Sequence, residues 1–208
     1  MGDVTRQPRI HFDAVILAGG GARRLGGADK PGLMVGGRTL AAAVVAASGE
    51  ADTVIIVGPE RVELRRLRPG RELRFVREEP PGGGPVAALR RGIEEVSAAW
   101  VAVLAADLPF LGGYHLQRLL TAVVPAGART RSGAILVDDA GRPQWLAGCW
   151  QTAALRTDLR VYRGQSLRGL FAPLRPAVVA LKPDPGERPP WFDCDSPEDV
   201  RRAREWRP

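Results

Sequence analysis

One stretch limits the folds open to this chain more than any other. An apolar run, Ala14-Val15-Ile16-Leu17, leads directly into Ala18-Gly19-Gly20-Gly21-Ala22-Arg23-Arg24-Leu25-Gly26-Gly27-Ala28-Asp29-Lys30. The run is continuous rather than alternating, the pattern of a strand buried on both faces of a parallel sheet. Five glycines follow between Gly19 and Gly27, with Arg23, Arg24 and Lys30 as the cations of the segment. A glycine-rich loop behind a buried strand lets backbone N–H groups approach a phosphate closely. The arginines and the lysine supply the positive charge such a ligand needs.

The spacing rules out one familiar phosphate loop and fits a second poorly. A Walker A loop needs Gly-Lys followed by Ser or Thr, whereas Lys30 stands between Asp29 and Pro31. A dinucleotide fingerprint needs a third glycine to pack against the strand, and Arg24 occupies that place. A third pattern fits, L-A-G-G-x-x-x-R-x-G-x-x-x-K, a long irregular loop that wraps a nucleoside triphosphate. Leu17, Ala18, Gly19, Gly20, Arg24, Gly26 and Lys30 meet it. Lysine usage sharpens the point. The chain has two lysines, Lys30 and Lys182, and arginine at every other basic position. A lysine kept here suggests that a compact point charge is wanted.

The length of 208 residues suits one domain with a full core. We read residues 1–12 as a flexible leader and 13–208 as a single domain. The net charge of +7 favours anionic ligands. Aromatic content of 6% and scattered arginines argue against a nucleic-acid partner. Cys149 and Cys194 are not spaced as a metal knuckle or a redox pair. The leader has no apolar core of a signal peptide, and no run approaches membrane-spanning length. These features predict a cytoplasmic protein with no membrane partner.

Strands are predicted over 13–17, 53–57, 73–77 and 100–105. Helices are predicted over 40–48, capped by Thr39, over 59–68, over 86–96 behind Pro85, and over 113–124. The second half is less regular. It reads as strands at 133–137, 145–150 and 177–181, the second antiparallel to its neighbours, and helices at 152–160 and 166–172. Ser196-Pro197-Glu198-Asp199 opens a last helix with a cap, a first-turn proline and two acids. Alternating strands and helices predict an α/β fold: three layers, a mostly parallel Rossmann-like sheet with helices on both faces, and one antiparallel strand.

Ligands of open α/β sheets bind beyond the carboxyl ends of the strands. Asp107 stands there, just past the apolar run Trp100–Ala105, and suits a divalent cation or a turn cap. Asp193 and Asp195 offer further carboxylates, as metal or substrate ligands or as acids before a helix. Glu78 and Glu79 follow the third strand at the same edge, where an acid accepts hydrogen bonds from a guanine ring or stays solvated. Neither His11 nor His115 falls in a loop at this edge, which disfavours serine–histidine and cysteine–histidine hydrolysis. Nucleotidyl transfer relies instead on positioning and on cationic stabilisation of charge.

The Leu17–Lys30 segment resembles the molybdenum cofactor guanylyltransferase family, within the wider nucleoside-triphosphate-transferase fold. The resemblance continues through Gly84-Pro85-Val86-Ala87, Ala106-Asp107-Leu108-Pro109-Phe110 and Phe192–Asp199. It implies transfer of GMP from GTP to the phosphate of molybdopterin or its molybdenum complex, with release of pyrophosphate. By the same resemblance Leu17, Ala18, Gly19, Gly20, Gly21, Gly84 and one of Glu78 and Glu79 would contact the nucleotide. Arg24, Lys30 and Asp107 would carry the chemistry, with Mg²⁺ on Asp107 and Asp195. Proteins that deliver the acceptor or collect the product are implied partners. In the half that binds acceptor, Gln144, Trp145, Arg163, Ser166 and Arg168 are candidates. The family tail usually carries asparagines where this chain has Asp193 and Asp195, and the chain contains no asparagine. The aspartate form also occurs in related cytidylyltransferases. CTP, another phosphorylated acceptor such as a phospholactate or sugar phosphate, and a non-catalytic nucleotide-binding module are the alternatives.

Overall fold

The computed structural model describes residues 10–19, 29–79, 81–123, 131–183 and 187–206. Arg24, Gly20 and Gly21 of the glycine loop, and residues 1–9 of the expected leader, lie outside them. The chain begins with strand β1 (Phe12–Leu17) and, after the loop, a 3-10 turn at Lys30–Gly32. A small hairpin, β2 (Met34–Val35) and β3 (Arg38–Thr39), leads into α1 (Leu40–Ala47). Next come β4 (Thr53–Val57), a 3-10 segment at Val62–Leu67, β5 (Glu72–Val76), α2 (Pro85–Glu94), β6 (Trp100–Ala105) and α3 (Gly113–Val123). The second half adds β7 (Gly133–Val137), β8 (Pro143–Gln151), α4 (Thr152–Val161), α5 (Leu167–Phe171), β9 (Ala177–Ala180) and α6 (Pro197–Glu205).

Seven strands form one sheet in the order β5-β4-β1-β6-β8-β7-β9. Only β8 runs against its neighbours, pairing antiparallel with both β6 and β7. This is the mostly parallel sheet with one reversed strand that the sequence predicts. Because strand side chains alternate, β1 feeds two cores. Ala14 and Ile16 join α1 and α3 on one face, beside Val44, Leu116 and Leu119. Val15 and Leu17 join α2, α4 and α5 on the other, beside Leu89, Leu155 and Phe171. Trp150 stacks on Phe171 there, with ring centroids 4.1 Å apart.

The caps form as their residue types dictate. The Thr39 hydroxyl accepts the Ala42 N–H at 3.1 Å. Ser196 and Asp199 make a reciprocal capping box at α6. Two features depart from the sequence reading. The segment between Lys30 and the helix at 40, for which no strand is predicted, carries the β2–β3 hairpin, and its Val35 packs on Leu40, Cys194, Val200 and Ala203. The segment 59–68 is a 3-10 helix over Val62–Leu67 rather than a full helical turn sequence. Among the described residues no helix is long and apolar enough to cross a membrane.

Candidate active site

The carboxyl ends of β5, β4, β1 and β6 meet at one edge and are sewn together there. Ala18 donates its N–H to the Val57 carbonyl at 2.9 Å, Gly58 to Val76 at 2.9 Å, and Ala106 to Leu17 at 3.1 Å. Gly58 lets the chain pass here, since a Cβ would lie 2.9 Å from the Ala18 carbonyl carbon and oxygen. Leu17 and Ala18 are buried, so they can offer a ligand only backbone, while Gly19 is exposed.

Lys30 and two acids converge on this edge. The Lys30 ammonium donates to Asp107 Oδ2 and, at 2.5 Å, to Asp195 Oδ1. The side chains of Lys30 and Asp107 are each 18% exposed and that of Asp195 47%. The Cys194 N–H donates to the Asp107 carbonyl at 3.3 Å, which ties the two acid-bearing segments together. Burial alone would lower the Lys30 pKa, but Asp107 and then Asp195 outweigh it and hold it above the usual lysine value. Asp193 lies beside this cluster. Its partial burial, then the charges of Asp195 and Asp107, push its carboxyl above the usual range, although its outer face is exposed.

One oxygen of the cluster is left over. Asp107 Oδ1 is buried and has no hydrogen-bond partner among the described residues. An unpartnered buried carboxylate oxygen is costly unless something positive meets it. Among the described residues no group of three or more His, Cys, Asp or Glu side chains is arranged to hold a metal. Magnesium is typically held by one or two carboxylates together with water and substrate phosphates. Asp107 and Asp195 are a donor set of that size and hardness.

Asp107, Asp193 and Asp195 border a cavity of about 360 Å³ whose other walls include Gln144, Trp145, Leu167 and Trp191. A second cavity, of about 620 Å³, shares Pro143, Gln144, Trp191 and Asp193 with it and extends toward Arg142. The acceptor-side candidates Gln144 and Trp145 thus stand against the acids. Arg163 donates to the Arg160 carbonyl and Ser166 caps α5, while their neighbour Leu167 is the residue that reaches the cavity wall.

The other candidates lie elsewhere on the edge. Glu78 accepts the Gly82 N–H at 2.8 Å within its own turn. Glu79 lines a different cavity, of about 850 Å³, with Phe75, Arg77 and Arg90. Gly84 is the N-terminal residue before α2 at φ 85°, a conformation that favours glycine. His11 pairs with Asp52 at the opposite end of β1. His115 accepts the Gly112 N–H on Nδ1 at 2.8 Å. Both cysteines are free and buried; burial raises the Cys149 thiol and, with the Asp107 charge, pushes Cys194 up to about 12.

Sequence reasoning missed Trp191 and the Asp29–Arg61 ion pair. Arg61 follows β4 at the same edge as the glycine loop, and that position was the available signal.

A mostly parallel sheet whose carboxyl edge brings Lys30 and Asp107 together is an α/β frame suited to a phosphate-bearing ligand. Comparison with known proteins places the chain in the nucleotidyltransferase superfamily. The family described as MobA-like NTP transferase domain matches residues 14–178, and the chain belongs to that family. A curated relative, the molybdenum cofactor guanylyltransferase of Rhodopseudomonas palustris, is 31% identical over 207 residues, covering 91% of this chain and 89% of the relative. Among solved structures, a nucleotidyl transferase from Methanothermobacter thermautotroptrophicus superposes with a TM-score of 0.70 at 22% identity, covering 94% of this chain and 96% of that one. The molybdopterin-guanine dinucleotide biosynthesis protein A of Archaeoglobus fulgidus does so at 0.63 and 20%, covering 93% and 97%.

Proposed function

We propose that this chain is a Mg²⁺-dependent guanylyltransferase that transfers GMP from GTP to the phosphate of molybdopterin or its molybdenum complex, releasing pyrophosphate. The observation that carries the reading is Lys30 held between Asp107 and Asp195, two acids that line a cavity with Trp145 and Trp191. Curated relatives named as molybdenum cofactor guanylyltransferases support the choice of base and acceptor.

The glycine loop, with Gly19, Gly20, Gly21 and Arg24, wraps the triphosphate, and Lys30 holds its phosphate oxygens. Glu78 or Glu79, with Gly84, faces the base. Asp107 and Asp195 would hold Mg²⁺, which when bound offsets charge on the α-phosphate and on the leaving pyrophosphate. The acceptor ring lies against the aromatic wall of the cavity, and its phosphate points toward the acids. That phosphate monoester has a second pKa of about 6, so it is largely dianionic at neutral pH and attacks without a general base. The placement of both histidines outside this cluster suits such a reaction.

Pyrophosphate release from GTP, CTP, ATP and UTP, each with Mg²⁺ and purified molybdopterin, tests the reading. Release with GTP alone is the expected result. Release with CTP alone would replace guanylyl by cytidylyl transfer, the base preference to which Asp193 and Asp195 otherwise point. Release with none from folded protein would overturn the molybdopterin acceptor.

A further inference from the structure

Arg61 belongs to no motif named above. It is the fourth residue beyond β4, and its guanidinium makes an ion pair with Asp29. Asp29 immediately precedes Lys30, and its carbonyl accepts the Gly32 N–H at 3.0 Å, closing the turn that carries Lys30. The next bond of the turn runs from the Leu33 N–H to the Lys30 carbonyl, also at 3.0 Å. Gly32 packs directly against the pair. A Cβ there would lie 2.3 Å from Asp29 Oδ2 and 3.3 Å from Arg61 Nη1. Turn backbone, carboxylate and guanidinium therefore form one close-packed unit.

Stability is a poor reason for this arrangement. Exposed ion pairs contribute little, and Asp29 is 60% exposed. The Arg61 side chain is only 12% exposed, and its buried Nε has no hydrogen-bond partner among the described residues. Burying a guanidinium with an unmet N–H opposes folding. What the pair does achieve is geometric: it anchors the residue before Lys30 to the segment after β4. The Lys30 stem is flexible, so the direction of its ammonium depends on where that turn is held.

We infer that Arg61 is a positioning residue, which through Asp29 fixes the turn that aims Lys30 at Asp107 and Asp195. Only the further step, that a well-aimed Lys30 grips the triphosphate, rests on the function proposed above.

With two lysines in the chain, Lys182 is an internal reference for Lys30. Full-length protein is treated with an amine-acetylating reagent, and the rates at Lys30 and Lys182 are followed by mass spectrometry. Arg61→Gln and Asp29→Asn should each raise the Lys30/Lys182 rate ratio about fivefold, and the exchange Asp29→Arg with Arg61→Asp should return it toward wild type. Arg61→Lys, which keeps the charge but loses the planar fork, should fall between. Titration calorimetry should then show magnesium–GTP binding weakened about tenfold in the single variants, with KM raised more than kcat is lowered. An unchanged ratio in Arg61→Gln would overturn the inference. So would a parallel rise at both lysines with a lowered melting temperature, the mark of a merely structural role. If wild type binds no nucleotide yet the ratio responds, the positioning role stands and the proposed function falls.

Discussion

Replacing Asp13 by alanine should cost this protein a large part of its stability while leaving the candidate site untouched. Asp13 is fully buried in β1. Its Oδ1 accepts the Thr53 N–H at 3.0 Å, and its Oδ2 accepts the N–H groups of Ser97 at 2.7 Å and Ala98 at 2.9 Å and the Ser97 hydroxyl at 3.3 Å. One side chain thus binds the start of β4 and the chain entering β6 to β1, at the end of the sheet opposite Lys30. Alanine strands three backbone donors. The Thr53 amide is buried and loses about 1–3 kcal/mol; the part-buried Ser97 and Ala98 amides lose about half as much each. The sum is about 4 kcal/mol, out of the roughly 5–15 kcal/mol typical of a domain. In a chain of this length that lowers the melting temperature by about 8–16 °C. Asp13→Asn keeps one acceptor oxygen and sets an amide NH₂ against the remaining donors, so about half the loss is expected. Urea unfolding followed by circular dichroism, with m-values compared, measures both. A loss below about 1 kcal/mol in Asp13→Ala at unchanged m would refute the reasoning, because water would then be meeting those donors.

Lys30→Ala and Asp107→Ala should abolish nucleotidyl transfer with melting temperatures within a few degrees of wild type; full transfer by either variant would remove the cluster from the site. The protein should also lose stability in acid through His115. Burial holds its pKa below the ordinary 6.5, an effect that the Glu187 charge opposes without overcoming. Protonating Nδ1 would also break the bond from the Gly112 N–H. The unfolded chain therefore binds the extra proton first, so this contribution is complete above about pH 6.5 and is lost as the pH falls through the folded-state value. Urea midpoints at pH 7.5 and 5 should drop further for wild type than for His115→Gln, and equal drops would sink the assignment.

The parts of the fold that depend on local chemistry were legible. Strands β4, β6 and β7 fall on the predicted residues because each is a short continuous apolar run between turn residues. Thr39 and Ser196 marked helix starts through side-chain oxygens that need no tertiary partner. The β2–β3 hairpin was not legible, because strands of two residues are too short to show a period; burial of Val35 against α6 holds the hairpin in place. For the site, the rule that ligands gather at strand carboxyl ends placed Asp107 and the loop carrying Lys30 at one edge, while Asp195 entered only as a further carboxylate before the last helix. It could not say that one ammonium would take both carboxylates. Those contacts join residues 77 and 165 positions apart, and only the strand order brings them together. Nor could it separate Glu78, whose carboxylate is spent on its own turn, from Glu79.

The lysine explains itself once its partners are in place. Arginine serves nearly every other basic position, and its planar fork binds one carboxylate edge well. Arg68 shows what that geometry is for: buried, it donates to the carbonyls of Ser48 and Ala51 at 2.7 Å each and never needs to let go. Lys30 has a different task. Its ammonium lies between two carboxylates that do not face one another as a single edge, and under the proposed function it must exchange them for phosphate oxygens during each turnover. A point charge on a flexible stem makes both sets of contacts with small movements, whereas a fork would have to turn as a plane. Among the described residues, Lys30, Asp107, Asp193 and Asp195 also place one cation among three acids, and Asp107 Oδ1 meets no partner there. Binding a cation at the acids while Lys30 turns to the phosphates would relieve both imbalances. Under the proposed function, the charge pattern of the cluster thus matches a cation at the acids and phosphates at Lys30.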